Sequence, residues 1–447
     1  MDSIWTMTAD ISRREPLLED ITTDTVVIGG GMAGILIAYF LERKGIPTVV
    51  LEASRIGSGQ TKNTTAKITL QHGPIYHKFI GEIGEKNAKL YAEANRLAIS
   101  QFRSLVEEKR IDCEFRECSA YLYSCEDTDT LKKEEEAAVS LGICAELTDK
   151  TELPFPVKSA LKFYDQAVFH PLLFLERISE NITVYEETKV LQVERAEEEN
   201  KIITNRATVR AKRVVFAAHY PFINIPGYYF LRLHQERSYV VALKNTKQMD
   251  HVYIGIDKEG FSFRKSGDYL LLGGGGHRTG ENTGGGSYQK LRKAAEKWFP
   301  ECKEITHFSA QDCMPLDDIP YIGQFSASTP DWFVATGFRK WGMTSSMVSA
   351  MLLSDLITKG QSPYEELFTP QRFHIQASAA NLAQDGAQSV KGLSKGVFTA
   401  TPKCTHMGCA LEWNPDELSW DCPCHGSRFD GDGKVIDNPA IEDLANE

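Results

Sequence analysis

Long apolar runs are missing from this sequence. The best candidate, around Met343 to Ile357, is interrupted by Thr344, Ser345, Ser346, Ser349, Ser354 and Asp355. A membrane-spanning helix needs roughly 20 nearly unbroken apolar residues, so no span is expected. An excess of positive charge is missing too. Lys and Arg number 50 against 61 Asp and Glu, a net charge of −11. That favours solubility and argues against nucleic acid or an anionic membrane surface as partner. The opening MDSIWTMTADISRREP has no basic stretch followed by an apolar one. No signal peptide is therefore expected, and the protein is read as cytoplasmic. Internal repeats and low-complexity tracts are also absent.

What is present is a chain of 447 residues, 42% hydrophobic and 25% charged. That is a soluble globular composition, long enough for about two to four domains. The ten cysteines are unevenly spread. Cys113, Cys118, Cys125, Cys144, Cys302 and Cys313 are scattered and read as reduced core thiols. Cys404, Cys409, Cys422 and Cys424 crowd together near the end. In a cytosolic chain such a cluster points to metal or redox chemistry rather than a disulfide framework.

The pattern of apolar residues predicts a strand over Thr25 to Ile28, a helix from Ile35 to Lys44 and a strand from Pro47 to Leu51. Helical periodicity recurs over 83–109, Pro171 to Ser179, Ser287 to Trp298 and about Thr344 to Thr358. Residues 110–150 read as a small antiparallel sheet. Further strands are expected at Ile182 to Tyr185, Lys189 to Glu194, Arg213 to Ala218, within 229–280 and at Trp332 to Ala335. The glycines Gly273 to Gly276 and Gly284 to Gly286 lack a strand–turn–helix setting and are read as turns, so no second nucleotide site is expected. A shift to Ala, Ser, Gln and Gly over 376–395 suggests a helical linker.

Gly29-x-Gly31-x-x-Gly34 falls between the first strand and the first helix. The first glycine allows a tight turn, the second lets backbone approach a pyrophosphate, and the third lets helix and strand pack closely. The helix N-terminus offers free N–H groups to phosphate. Glu52 ends the second strand, where a carboxylate can accept bonds from ribose hydroxyls. The bland alternative is a glycine-rich structural turn. The N-terminal position favours FAD over NAD, because FAD folds draw on later segments, and RIGSGQTKNTTAKIT, DDIPYIG and ATGFRKWGMTSS look like those segments.

These stretches resemble the D-amino-acid-oxidase or glycine-oxidase superfamily of flavoproteins over roughly residues 20–370. The resemblance implies that Ser58, Gly59, Thr61, Thr65 and Ala66 line the FAD pyrophosphate and flavin. It also implies that Val190 meets the adenosine end through its backbone, and that Gly337, Gly342, Met343 and Thr344 approach the flavin N1–C2=O edge. Backbone N–H groups at a helix start stabilise the anionic reduced flavin there. Asp318 stands where related sequences often have Gly.

The tail carries Cys404-Thr405-His406-Met407-Gly408-Cys409 and Cys422-Pro423-Cys424-His425-Gly426-Ser427. These match the two boxes of Rieske proteins, CxHxxC and CxCHGS. The resemblance implies a [2Fe–2S] cluster with Cys404 and Cys422 on one iron and His406 and His425 on the other. It also implies a Cys409–Cys424 disulfide and a hydrogen bond from Ser427 to a sulfur. Zinc, or no metal, are the alternatives. Phe429 stands where Rieske proteins often have a Tyr donor. Only KGVFTATPK offers a strand before the first box, so the supporting sheet is expected to be shortened.

The fusion, with the SIW, SGQTKNTTAKIT and GFRKWGMTSS stretches, resembles a bacterial family of FAD-dependent oxidoreductases whose body is similar to amine and γ-glutamylputrescine oxidases. The expected fold is an α/β FAD-binding Rossmann-type domain with an interleaved α+β substrate domain, followed by a small all-β Rieske-like domain. The expected divisions are an oxidoreductase body over 1–375, a linker over 376–390 and the cluster domain over 391–447. Within the body, FAD-binding segments fall at about 20–80, 150–225 and 310–375, and substrate segments at about 81–149 and 226–309.

The expected activity is oxidation of a small amine or amino-acid-like substrate, with electrons passing from FAD to the [2Fe–2S] cluster and on to an external acceptor, which can be a protein. The rivals are an O2-using amine oxidase with a vestigial cluster domain and an electron-transfer flavoprotein reduced by a protein partner. Candidate catalytic residues are Lys67, near the expected flavin edge, with His277 and Arg278 at a strand end. Tyr76, His77, His170 and His234 are read as structural.

Overall fold

The structure is a computed structural model that describes residues 2–196, 199–398 and 401–445. Two large sheets share the body. The first is eight-stranded, and its central strands Thr208–Phe216, Ile21–Ile28, Thr48–Leu51 and Thr183–Tyr185 run parallel. The strand Thr329–Thr336 adds in parallel beside Thr208–Phe216, and Tyr321–Ser326 closes that edge antiparallel. Parallel strands covered on both faces read as apolar runs. Val26, Val27, Val50, Val214 and Val215 are accordingly buried. The helices Met32–Arg43 and Gly342–Lys359 pack together in one continuous core on this sheet.

The second sheet is nine-stranded and runs from Lys303–Pro315 through Leu233–Lys244, Tyr269–Arg278, Ser262–Ser266, Val252–Gly255 and Arg116–Ser124 to Ser159–Val168 and the short Lys67–Ile68. On one face Tyr239, Val241, Phe263 and Leu272 meet the helix Ser287–Trp298; on the other Val240, Ala242 and Leu271 join the main core. This alternation is the period-two rule of a sheet buried on both sides. The fold is thus the α/β nucleotide-binding body with an interleaved α+β part, followed by a small all-β unit.

Several local expectations are corrected. The helix expected over 83–109 is present as Glu85–Lys109, and a second helix that was not expected, Tyr76–Ile83, precedes it across Gly84 with φ 80°. Residues 110–150 hold a helix, Asp129–Ser140, between strands Arg116–Ser124 and Ala145–Thr148. Most of its charges face solvent, and they mask the apolar stripe of Leu131, Ala137 and Ala138. Gly273 to Gly276 do not turn: they lie inside the strand Tyr269–Arg278, where a Cβ on Gly273 would come within 2.6 Å of Ser262 Oγ. The helix Ile375–Phe398 covers the expected linker and continues into KGVF, so no strand forms there; Thr399 and Ala400 lie outside the described residues.

The C-terminal unit is a four-stranded antiparallel sheet, Glu412–Asn414, Ser419–Asp421, Arg428–Phe429 and Val435–Asp437. It is small, and the body supplies what it lacks. Arg237 of the second sheet is 1% exposed and lies 2.7 Å from Glu417. Arg428, equally interior, holds Asp421 at 3.0 Å, Asp437 at 2.8 Å and Glu417 at 3.3 Å. Buried charges persist only when paired in this way.

Candidate active site and iron–sulfur centre

The nucleotide end is a cradle that Cβ atoms would fill. A Cβ on Gly34 would fall 1.9 Å from Gly29 O, and one on Gly29, at φ 113°, would fall 2.6 Å from Ala217 O. Glu52 lies partly buried beside the turn. Its Oε2 accepts from Gly30 N at 2.7 Å and its Oε1 from Ser54 N at 2.8 Å. Burial raises its pKa. Thr61 Oγ1 accepts from Met32 N at 3.0 Å, at the start of the helix whose N-cap is Gly31. Ser58 Oγ accepts from Arg55 N at 3.3 Å, and Gly59 opens a single 3-10 turn. Val190 begins a strand paired to Thr204, two residues after Thr188, whose N–H bonds the Glu52 carbonyl at 2.9 Å. These groups come from three separate stretches and meet at one end of the parallel sheet, where such sheets bind nucleotides.

The second end of the site is built by Thr64–Ile68 and by Gly337–Thr344. Ala66 is fully buried at φ 50°. Thr65 Oγ1 accepts from Lys67 Nζ at 2.9 Å. Gly337 takes φ 73°, and the helix Gly342–Lys359 begins with Met343 and Thr344 buried. Thr344 Oγ1 donates to Thr69 O at 3.1 Å, and His72 Nε2 lies 3.2 Å from the same hydroxyl. His72 stacks on Trp341 with centroids 4.7 Å apart. Lys340 anchors this loop to the second sheet through Asp312 at 3.0 Å and Glu236 at 3.1 Å. Asp318 adopts φ 61°, a conformation natural to glycine, and is held by Lys78 at 2.7 Å and Arg339 at 3.1 Å.

Burial pushes the Lys67 ammonium down to about 7, helped by neighbouring Arg264. Arg264 is 1% exposed. Its guanidinium donates to Phe169 O at 2.7 Å and lies 4.8 Å from the Trp5 ring centroid. Its Nε and second terminal nitrogen have no partner among the described residues. Trp5 Nε1 in turn donates to Thr64 O at 2.8 Å. Two interior basic groups therefore sit beside the Thr64–Ile68 stretch, and no carboxylate among the described residues forms an ion pair with either. Sequence reasoning missed Arg264, Trp5 and His72. Arg264 lies in an alternating strand where a charged residue on the inward face was the available signal.

His277 and Arg278 are placed elsewhere. His277 Nε2 meets Tyr239 Oη at 2.9 Å and Nδ1 meets Arg278 O at 2.7 Å. The Arg278 guanidinium turns to the C-terminal unit, donating to Pro423 O at 3.1 Å and Cys424 O at 3.2 Å, with Asp385 as its counter-ion. Asp385 also meets His234 Nδ1 at 3.2 Å. Geometry thus makes Arg278 a clamp on the second Cys-His box, not a neighbour of the Lys67 site. Tyr76 donates to Leu70 O, the His77 backbone N–H donates to Glu134, and His170 caps the helix Pro171–Ser179.

The two boxes form facing loops. Gly408 N donates to Cys404 O at 2.8 Å, and Gly426 N to Cys422 O at 2.9 Å. Cys409 and Cys424 are disulfide-bonded across them. The sulfurs of Cys409, Cys422 and Cys424 lie within 4.8 Å of one another; since two of these form the disulfide, the donor among them is Cys422. The Cys404 thiol is brought down to about 7 by contact with Cys422, with Ser427 and the His406 and Met407 N–H groups adding to it. Burial holds His406 down to about 4 and His425 down to about 3. Both imidazoles are neutral at pH 7, as metal ligation requires. Their rings lie 5.0 Å apart and nearly perpendicular, and Nδ1 of each is buried with no partner among the described residues. Two thiols and two orphaned Nδ1 lone pairs are the donor set of a Rieske cluster. Phe429 is fully buried against this set.

The sequence matches the family described as FAD dependent oxidoreductase over residues 24–356. The chain belongs to that family. A second match, the Rieske [2Fe-2S] domain, covers residues 381–446. The chain is 36% identical to a Bacillus subtilis (strain 168) protein that carries the provisional name Rieske 2Fe-2S iron-sulfur protein YhfW, across 99% of this chain and 97% of that one. Its fold is similar to L-proline dehydrogenase from P. horikoshii, with TM-score 0.67 and 20% identity over 80% of this chain and 98% of that one. It is equally similar to glycine oxidase from Geobacillus kaustophilus, with TM-score 0.67 and 18% identity over 79% of this chain and 99% of that one. The protein is an FAD-dependent oxidoreductase that carries a [2Fe–2S] cluster. The glycine cradle and Glu52 fit the dinucleotide, and the orphaned imidazole nitrogens fit the cluster. Among the described residues no helix is long and apolar enough to cross a membrane.

Proposed function

We propose that this FAD-dependent oxidoreductase oxidises a small amine bearing a carboxylate, and that the electrons leave through the iron–sulfur unit to an external acceptor. One observation carries the electron route: the cluster loops are hydrogen-bonded to residues that also frame the flavin site. Gln60, within the flavin-binding stretch, accepts from Gln311 N at 2.8 Å and donates to Asp437 at 3.1 Å. Gln311 Nε2 donates to Gly426 O at 2.6 Å, and Gln235 Nε2 to His425 O at 2.9 Å. Bound FAD supplies a hydride acceptor that can release its electrons singly, and the cluster takes one at a time.

The chain's own residues supply recognition and proton handling. The unpartnered donors of Arg264 suit a substrate carboxylate, because an arginine fork matches its two oxygens. Lys67, brought down to about 7, is partly neutral near pH 7 and can accept the ammonium proton that must leave before an amine is oxidised. Lys67 is the catalytic candidate that this reading retains. Ser58, Gly59, Thr61, Thr65, Ala66, Val190 and Gly337 to Thr344 are assigned to FAD. Cys404, His406, Cys422 and His425 are assigned to the cluster. Six cysteines outside the boxes remain unpaired, which supports a place in the reducing cytoplasm.

Anaerobic mixing with a panel of amino acids and matched decarboxylated amines tests the reading, with flavin absorbance and the low-temperature cluster EPR signal followed together. Bleaching with the carboxylate-bearing members, and a reduced-cluster signal at the same rate, is the expected result. Peroxide formation in air at full turnover, unchanged by Cys404→Ser, would instead assign the plain-oxidase alternative.

A further inference from the structure

The C-terminal boxes do not enclose the whole cluster site. The body brings one loop, outside the Cys-His boxes, against both histidine rings. Asn224 Oδ1 lies 2.7 Å from His406 Nε2. The Phe230 carbonyl approaches the His425 ring. The Phe230 ring also meets the His425 ring edge-on at 6.0 Å.

We propose that the loop Asn224–Phe230 of the flavoprotein body is the outer half of the cluster site, with Asn224 as the positioning residue for His406 and the Phe230 ring packed against His425.

An amide oxygen only accepts, so the proton of the neutral His406 imidazole is drawn to Nε2. That leaves a lone pair on its Nδ1, and the Nδ1 atoms of both histidines are buried with no partner among the described residues. A buried, unsatisfied acceptor is costly, and two of them on neighbouring rings 5.0 Å apart, beside the cysteine loops, make sense as iron ligands. The reverse amide orientation would leave the proton on His406 Nδ1, which could then neither ligate nor find an acceptor. An acceptor on the outer N–H also makes the imidazole a stronger electron donor to its metal. The loop is therefore expected to fix the ring directions and to lower the cluster's reduction potential. It also occupies the outer nitrogen of His406, so an external acceptor cannot hydrogen-bond there.

The inference takes the [2Fe–2S] assignment as given and does not depend on the substrate. The test uses the full-length holoprotein and three variants, read by iron and sulfide content, the g-values of the reduced cluster, its midpoint potential and the rate of iron loss to a chelator. Asn224→Ala removes the acceptor: potential rises, g-values move and iron loss speeds by about 10–100-fold, the usual cost of losing an outer partner. Asn224→Asp keeps an acceptor and strengthens it: potential falls below that of the parent protein, with iron retained. Asn438→Ala breaks a separate docking contact, since Asn438 Nδ2 donates to Ala218 O and Tyr220 O at 2.6 Å each; it leaves g-values and potential where they were. Should Asn224→Ala fail to fold, the Asp and Asn438 variants still decide. Unchanged g-values and potential in the Asn224 variants overturn the proposal. So does a shift of the same sign in both Asn224 variants, or an equal shift from Asn438→Ala.

Discussion

Arg237 is the side chain whose removal should most clearly separate the two halves of this protein. It projects from the second sheet of the body, is 1% exposed, and meets Glu417 at 2.7 Å and Asp437 at 3.8 Å across the domain boundary. Its guanidinium also donates to Gln311 Oε1 at 3.0 Å and to Ser309. At an effective dielectric of about 20, one ion pair at this separation is worth roughly 6 kcal/mol before desolvation is counted. Arg237→Met leaves Arg428 alone among Glu417, Asp421 and Asp437, so one cation faces three interior carboxylates. Breaking a buried pair by removing one partner typically costs about 3–5 kcal/mol. Nearly all of that cost falls on docking and not on either core. Calorimetry of the FAD- and iron-loaded protein should therefore show one cooperative transition for the parent and two for Arg237→Met, the new one at lower temperature and accompanied by iron release. Combining Arg237→Met with Glu417→Gln should recover part of the loss, because the stranded carboxylate is gone. A single transition at the parent temperature in Arg237→Met would refute the argument that this network holds the domains together.

Other outcomes follow from the same geometry. Gly34→Ala should yield protein without FAD, read by the absence of flavin absorbance after purification, since its Cβ would fall 1.9 Å from Gly29 O; full flavin content would remove the glycine cradle from the argument. The Lys67 pKa of about 7 in the folded protein lies below the unfolded value of about 10.4, so the unfolded chain holds the extra proton between them. Stability should thus gain from Lys67 as pH rises through that window, and anaerobic flavin reduction should rise through about pH 7; both trends should vanish in Lys67→Met. Burial alone would raise the Asp317 carboxyl, but Arg372 and His374 overcome it and hold the group well below its usual range. Its stabilisation is present above about pH 4 and is lost as pH falls further, so Arg372→Met should cost about 3–5 kcal/mol at pH 7 and flatten the acid limb of a urea-midpoint profile.

Much of this protein is local in origin, and that part the sequence by itself determined. Gly29 and Gly34 must be glycine because neighbouring backbone leaves no room for a Cβ, and the strand, turn and helix around them follow from adjacent residues. The two Cys-His boxes are equally local: short loops place Cys404 near His406 and Cys422 near His425 whatever surrounds them. The resemblance carried the Cys409–Cys424 pairing, which the structure contains. Tertiary structure decided whatever depends on strands far apart in the chain. Alternation put Arg264 on an inward face, but only the packing of the second sheet brings it near Lys67 and Trp5. The strand order turns Arg278 toward Pro423 and Cys424, although its position after a glycine cluster suggested the flavin. That cluster itself reads as turns until Ser262 and Phe261 are seen packed where side chains would be. The small C-terminal sheet looked too short for its task because its support is not in the tail. It comes from Arg237, Gln235 and the loop Asn224–Phe230, nearly two hundred residues earlier, and charge burial across that boundary is a property of the folded whole.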